Sequence, residues 1–192
     1  NKDHVLPIQS KEVIPVFGRT QVDSFYCGYG SGGYVYPSNK ISILDGLRKN
    51  GDIRLNGELA QDYEKWCEEN PVDDNNDSWG KWPYYYPERV MDESIVKKAA
   101  QESDKAVVVI GRSAGEDREC KLESGSYYLT EEEKRMLSQV NEYFEDVIVV
   151  LNIGNIIDMS WVQQYSNIKG ILNVWQGGME IGKAVAKVLS GE

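Results

Sequence analysis

The chain has 192 residues, enough to bury a sizeable hydrophobic core, and its 41% hydrophobic and 27% charged residues are typical of a globular protein. Its formal net charge of -10 argues against nucleic acid and anionic membrane surfaces as partners, because both would be repelled. No apolar run in the sequence is long enough to cross a bilayer, so no membrane partner is expected.

The number and spacing of the cysteines and the single histidine argue against several kinds of site. Cys27, Cys67 and Cys120 are widely spaced, which fits neither a disulfide framework nor a zinc site, and we expect a reducing, cytoplasmic compartment. The single histidine, His4, lies near the amino terminus, so a Ser-His-Asp or Cys-His hydrolytic site is not expected. Because the chain begins with Asn1 rather than Met, we expect residues 1–192 to be one domain cut from a larger protein.

Strand and helix signals alternate along the chain. Apolar runs predict strands at residues 13–17, 106–110, 147–151 and 168–174, and helical spacing predicts helices at 41–47, 58–69, 93–103, 130–144, 159–165 and 179–189. Thr130 and Glu133 form a capping box, which marks a helix start. The runs at 106–110 and 147–151 are apolar without alternation, which is typical of strands buried on both faces. This order predicts an α/β fold, a mainly parallel sheet with helices on both faces in three layers.

The loops that follow the predicted strands should meet at one edge of that sheet. They lie at residues 18–20, 111–118, 152–155 and 175–178. The loop at 111–118 reads GRSAGEDR and presents Glu116 beside Asp117 and Arg118. A carboxylate held at a rigid sheet edge is a candidate acid or base, and a solvated turn without chemical function is an equal alternative.

A glycine-rich loop at residues 27–33, CGYGSGG, contains the G-x-G-x-x-G spacing of dinucleotide sites. Its glycines do not directly follow a strand, and the residues after them, YVYP at 34–37, do not begin a helix, so a nucleotide site is disfavoured. We interpret the loop as backbone that passes close to a neighbour, with Ser31 free to donate a hydrogen bond. Because this loop and residues 111–126 are rich in glycine, we expect both to be poorly ordered in this fragment, and many contacts inside the domain would count against this expectation.

Two further segments have polar or aromatic compositions. The acidic run DDNND at 73–77 lacks the spacing of a calcium-binding EF-hand loop and is interpreted as a solvated turn. The aromatic segment at residues 79–86 contains Trp79, Trp82, Tyr84, Tyr85 and Tyr86. Exposed rings of this kind stack on sugars, but they also cover a core or dock on another domain, and the sequence leaves these alternatives open.

Six short motifs follow one another along nearly the whole chain. They are VLP at 5–7, GSG at 30–32, DSWG at 77–80, GEDR at 115–118, LNIG at 151–154 and VWQGGME at 174–180. In this order the motifs resemble the α/β-sandwich domain of family 3 glycoside hydrolases, the β-glucosidase and β-xylosidase family.

The resemblance implies a two-domain enzyme acting on a β-linked glucoside or oligosaccharide. A separate (β/α)8 barrel would hold the nucleophilic Asp and most of the sugar pocket, and this domain would supply the general acid/base, Glu116. Ser31, Asp117 and Arg118 would contact substrate, and no metal or organic cofactor is expected.

The sequence departs from the family pattern at one point. Similar enzymes usually read Gly-Glu-Gly-x-Asp-Arg, whereas here Asp117 follows Glu116 directly, so Glu119 or Glu123 could take the acid/base role instead. Retaining hydrolysis needs two carboxyl groups about 5–5.5 Å apart. This domain would supply only the acid/base and not the nucleophile, so we expect the chain alone to be inactive. The alternative functions are a non-catalytic carbohydrate-binding or docking module that uses the aromatic segment, and a flavodoxin-like nucleotide binder.

Overall fold

The computed structural model describes residues 1–10, 12–32, 39–73 and 79–192. The last glycine of the G-x-G-x-x-G spacing, the YVYP run, the start of the DSWG motif and most of the acidic run lie outside the described residues. The elements in chain order are β1 (Val13–Ile14), β2 (Val16–Phe17), α1 (Ile43–Lys49), β3 (Arg54–Leu55), α2 (Gly57–Glu69), α3 (Glu93–Ala100), β4 (Lys105–Arg112), α4 (Glu131–Tyr143), β5 (Asp146–Ile153), β6 (Ile168–Asn173) and α5 (Ile181–Ser190), with short 3-10 helices at Arg19–Gln21 and Ser160–Gln164.

The described strands form two parallel sheets. The larger has the order β2-β4-β5-β6, and β1 pairs with β3 in a two-stranded sheet. The centre of the larger sheet is the long pairing of β4 with β5, which runs from Lys105 opposite Asp146 to Arg112 opposite Ile153. All strands of this sheet therefore end at the same edge, as the sequence predicts.

Helices cover both faces of the larger sheet. Val108 and Val149 pack with residues of α2, α3 and α4, whereas their chain neighbours Val107 and Ile148 pack with residues of α1 and α5. All four side chains are fully buried, which explains why the strand sequences show no polar alternation. The predicted three-layer α/β arrangement is confirmed. None of the helices in the described part of the chain is both long and apolar enough to span a membrane.

The differences from the predicted elements have local causes. The single strand predicted at 13–17 is two strands, because Pro15 has no N–H to donate and only its carbonyl pairs, accepting from the Val107 amide at 3.0 Å. Strand β4 continues two residues past the predicted end, so Arg112 is a buried strand residue rather than part of a loop. The two-residue strand β3 was too short to show a period, and the segment at 159–165 forms a 3-10 helix.

Candidate active site

The loop that leaves β4 is fixed to two other segments as soon as it emerges. The Ser113 amide donates to the carbonyl of Tyr84 at 2.8 Å, and the Ser113 hydroxyl donates to the carbonyl of Pro83. Two residues on, the loop pairs with the glycine-rich loop: the Tyr29 amide donates to the Ala114 carbonyl at 2.9 Å, and the Glu116 amide donates to the Tyr29 carbonyl at 3.0 Å. These bonds to the aromatic segment and to the glycine-rich loop therefore hold the backbone of Glu116 in place at the edge of the sheet.

The carboxylate of Glu116 is bound by Ser31. Its Oε2 accepts a hydrogen bond from the Ser31 amide at 3.0 Å and another from the Ser31 hydroxyl at 2.8 Å. Gly30 makes this approach possible: its φ is 126°, and a Cβ built on it would lie 2.6 Å from the Cβ of Glu116. Glu116 itself is exposed to solvent, and among the described residues no group donates to its Oε1.

Asp117 and Arg118 turn toward the aromatic segment. Asp117 has a φ of 56°, and its Oδ2 accepts a hydrogen bond from the indole N–H of Trp79 at 2.9 Å. The guanidinium carbon of Arg118 lies 3.6 Å from the centre of the Tyr84 ring, a close cation–π contact. Both side chains thus make contacts within the domain, and their predicted binding to substrate stays a prediction.

Most rings of the aromatic segment are packed into the domain. Trp82 is 3% exposed and stacks on Tyr29, with ring centres 5.6 Å apart and planes at 9°. Tyr86 stacks on Phe25 with ring centres 4.3 Å apart, and Tyr85 packs directly against Gly125. The segment therefore acts mainly as a brace for the loops at the sheet edge, and only Trp79 remains largely exposed, at 54%.

Glu119 and Glu123, the alternative acid/base residues, lie further along the same loop, and both are exposed. Glu123 is part of a compact turn in which its amide donates to the Lys121 carbonyl at 2.7 Å. The turn is held by further bonds from Lys121 to the Ser126 hydroxyl and from Gly125 to the Tyr128 carbonyl. These contacts count against the expectation that residues 111–126 are poorly ordered, and so do the bonds of described residues 27–32 to Ala114 and Glu116.

Asn152 is an organising residue that the sequence reasoning missed. It is fully buried at the end of β5, where its side chain accepts from the Phe25 amide at 2.7 Å and donates to the Phe25 carbonyl at 3.0 Å. The same side chain also donates to the carbonyl of Trp175, so it joins the loops that follow β2 and β6. The available signal was a polar residue that directly follows an apolar strand run.

Metal ligands do not gather in the part of the chain that the structure describes. No group of three or more His, Cys, Asp or Glu side chains could hold an ion there, and all three cysteines are free thiols. The groups available for chemistry are the Glu116 carboxylate and the Ser31 hydroxyl bonded to it, with the Trp79 indole bonded to the next residue, Asp117.

Comparison with known proteins decides the family. The model for the glycosyl hydrolase family 3 C-terminal domain matches residues 1–192. The chain belongs to this family. Among curated relatives of this family 3 domain, the β-glucosidase of Ruminococcus albus is 41% identical over 98% of the chain, and β-glucosidase A of Butyrivibrio fibrisolvens is 31% identical over 100%.

Solved structures of the family agree with the fold. The β-glucosidase of Paenibacillus barengoltzii superimposes with a TM-score of 0.95 at 44% identity, covering 100% of this chain and 21% of its own. β-Glucosidase 3B of Thermotoga neapolitana, solved with glucose, superimposes with a TM-score of 0.86 at 33% identity, covering 99% and 27%. The chain spans only 20% and 25% of the length of the two curated relatives.

Proposed function

We propose that this family 3 domain supplies the general acid/base of a retaining β-glucosidase, and that Glu116 is that residue. The observation that carries the proposal is the pair of hydrogen bonds from the Ser31 amide and hydroxyl to Glu116 Oε2. They orient one oxygen of an exposed carboxylate at the edge where strand ends converge, and they leave the other oxygen for proton transfer.

Glu116 has stronger support than Glu119 or Glu123. Its backbone is bonded to the glycine-rich loop and its carboxylate to Ser31, so its position is fixed on both sides. For Glu119 and Glu123, no side-chain hydrogen bond is present among the described residues. A proton-transfer group has to be held within hydrogen-bond reach of the reacting oxygen, and Glu116 alone of the three is pre-positioned by side-chain bonds.

The proposed chemistry is a double displacement. Glu116 donates a proton to the glycosidic oxygen as the leaving group departs, and in the second step it takes a proton from the water that attacks the glycosyl-enzyme. Ser31 stabilises the carboxylate that forms when the proton leaves, because both of its donors face Oε2. The nucleophile and most of the sugar pocket would come from a (β/α)8 barrel elsewhere in the enzyme, and the substrate would be a β-glucoside.

The carbohydrate-binding alternative has little support in the geometry. A binding module would display several rings, whereas Trp82 is buried and the tyrosines of the aromatic segment pack against neighbouring loops. The nucleotide alternative would need a glycine loop that opens a helix, whereas the described part of this loop binds a carboxylate.

The proposal is tested with Glu116→Ala in the full-length enzyme and two substrates. Dinitrophenyl β-glucoside has a leaving group that hardly needs a proton, so its glycosylation step should survive, while hydrolysis of cellobiose should fall by a factor of about 10²–10⁴. Azide should partly restore turnover of the dinitrophenyl substrate, because a small anion needs no general base. Glu123→Ala is the matched control and should behave like the wild type.

Two results would contradict the proposal. Equal losses on both substrates without azide rescue in Glu116→Ala would remove the acid/base role from this residue. The same leaving-group dependence in Glu119→Ala or Glu123→Ala would assign the role to that residue instead.

A further inference from the structure

Trp79 is exposed yet held in a fixed orientation. Its indole N–H donates to Asp117 Oδ2 at 2.9 Å, and its ring meets the buried Trp82 edge-to-face, with ring centres 5.2 Å apart and planes at 68°. Trp82 in turn stacks on Tyr29, the residue whose carbonyl binds the Glu116 amide. An aromatic side chain anchored at both its polar edge and its ring presents a preorganised apolar surface to whatever lies above it.

The position of this indole is set by the acid/base loop itself. Its hydrogen-bond partner, Asp117, is the next residue after Glu116, and the positive φ of Asp117 turns the two carboxylates to different neighbours. Ser31 binds the carboxylate of Glu116, and Trp79 binds the carboxylate of Asp117. Because Glu116 and Asp117 are consecutive, and because both the Glu116 side chain and the indole bonded to Asp117 are exposed, the two border the same stretch of surface.

We propose that Trp79 is a platform for the leaving group and sets the preference of the enzyme for leaving groups that are six-membered rings. This inference rests on the proposed role of Glu116. The proton goes to the oxygen that joins the glucosyl unit to its leaving group, so the groups anchored beside the acid contact the leaving group. A sugar or aryl ring covers an indole face, whereas a flexible chain must lose rotational freedom to do so.

The decisive comparison in the test is between two substrates whose leaving groups differ in shape and not in acidity. Cyclohexyl and n-hexyl β-glucoside release alcohols of similar acidity, so their comparison isolates the ring, while cellobiose and phenyl β-glucoside distinguish a sugar from an aryl ring. In the full-length enzyme, Trp79→Ala should lower kcat/KM roughly tenfold on the cyclohexyl glucoside and less than about threefold on the n-hexyl glucoside. Where the cyclohexyl loss is found, the larger of the losses on cellobiose and on phenyl β-glucoside identifies which ring the platform serves. An unchanged kcat/KM on the cyclohexyl glucoside would overturn the proposal.

Two further variants keep the test decisive. Trp79→Phe retains a ring but loses the N–H that binds Asp117, so its ring preference should fall between those of the wild type and Trp79→Ala. Val188→Ala removes a 52%-exposed apolar side chain on α5 and should leave the ratio of the cyclohexyl and n-hexyl rates unchanged. Equal losses on the two substrates in Trp79→Ala would overturn the proposal and indicate that Trp79 packs against another part of the enzyme.

This outcome is separable from a failure of the acid/base assignment. If Glu116 were not the acid, Glu116→Ala would show no dependence on leaving-group acidity. The ring preference of the Trp79 variants is measured between alcohols of similar acidity, so it does not depend on that result.

Discussion

Arg112 and Glu133 form a buried two-point ion pair that joins the end of β4 to the start of α4. Their N–O distances are 2.6 and 2.7 Å, and the side chains are 1% and 6% exposed. Glu133 also closes the capping box of α4, because its Oε2 accepts from the Thr130 amide at 2.8 Å. Arg112 donates in addition to the carbonyls of Ser126 and Tyr128, so the pair joins the two ends of the loop that carries Glu116.

Glu133→Gln should therefore destabilise the protein strongly. The variant leaves the buried Arg112 charge without its partner, a change that costs about 3–5 kcal/mol. The matched control is Glu131→Gln in the same turn of α4, where the ion pair with Lys134 at 2.7 Å is largely exposed and contributes under about 1 kcal/mol. Urea unfolding measures both, and equal effects would show that the buried pair has no special role.

Glycine packing between α1 and α5 gives a second prediction. A Cβ on Gly46 would lie 2.0 Å from the backbone of Gly182, so the two helices touch through their glycines. Gly46→Ala should cost about 3 kcal/mol or more, because backbone rather than a flexible side chain has to move. In Gly57→Ala, at the start of α2, the added methyl meets no atom of the described part of the chain within 4 Å, so the variant should be neutral or slightly stabilising, as measured by thermal unfolding.

Burial gives Glu88 an unusual titration. Its two oxygens accept from the amides of Arg19 and Arg89 at 2.6 and 2.9 Å, but burial dominates and raises its pKa from 4.5 to about 7. Arg19 opposes this rise and the nearby carboxylate of Glu133 adds to it. The folded protein therefore binds a proton at Glu88 under conditions in which the unfolded chain does not.

The free energy of unfolding should accordingly rise as the pH falls from about 8 to about 5. The raised pKa means that this contribution is complete below the unfolded value of 4.5 and is lost as the pH rises through 7. At about 1.4 kcal/mol for each pKa unit, its size is roughly 3 kcal/mol. The side chain of Glu88→Gln cannot titrate. Urea unfolding across this pH range should therefore show that the difference in unfolding free energy between wild type and variant changes with pH by this amount. A pH-independent difference would contradict it.

Much of the fold was predictable because strands that are buried on both faces of a sheet have unbroken apolar sequences. The unbroken apolar runs of β4 and β5 indicate a parallel sheet, and the Thr130–Glu133 capping box locates the start of α4. The end of β4 was not predictable in the same way. An arginine is typical of a surface position, and Arg112 can be buried because the distant Glu133 carboxylate pairs with its charge while backbone carbonyls accept from its other N–H groups.

The site was predictable in its parts but not in its pairings. The sequence indicates an exposed Glu116 and a donating Ser31, and the structure adds that the two are bonded. It does not indicate that Asp117 binds Trp79 or that Arg118 covers Tyr84, because these contacts depend on how the shortened loop turns. A positive φ at Asp117 has little signature in one sequence, since Asp adopts it only where its surroundings require it.

Gly30 and Gly32 flank Ser31 and offer a matched pair of substitutions in the glycine-rich loop. Gly30 has a φ of 126°, and a Cβ there would lie 2.6 Å from Glu116 Cβ and 2.9 Å from its Oε2, whereas a Cβ on Gly32 would meet no described residue within 4 Å. Gly30→Ala should therefore displace the carboxylate and weaken both Ser31 bonds. Because a misplacement of about 1 Å costs on the order of 10² in rate, kcat/KM of the full-length enzyme on cellobiose should fall about a hundredfold.

Gly32→Ala should stay within about threefold of the wild-type rate, because the added methyl meets none of the residues that the structure describes and its backbone needs no left-handed conformation. Steady-state kinetics on cellobiose and on dinitrophenyl β-glucoside distinguishes displacement of Glu116 from a general loss of activity on both substrates. If Glu116 is the acid as proposed, Gly30→Ala should spare glycosylation by the dinitrophenyl substrate, and thermal unfolding checks that the variant still folds. A Gly30→Ala enzyme as active as Gly32→Ala on cellobiose would mean that the contact between this loop and Glu116 has no part in proton transfer.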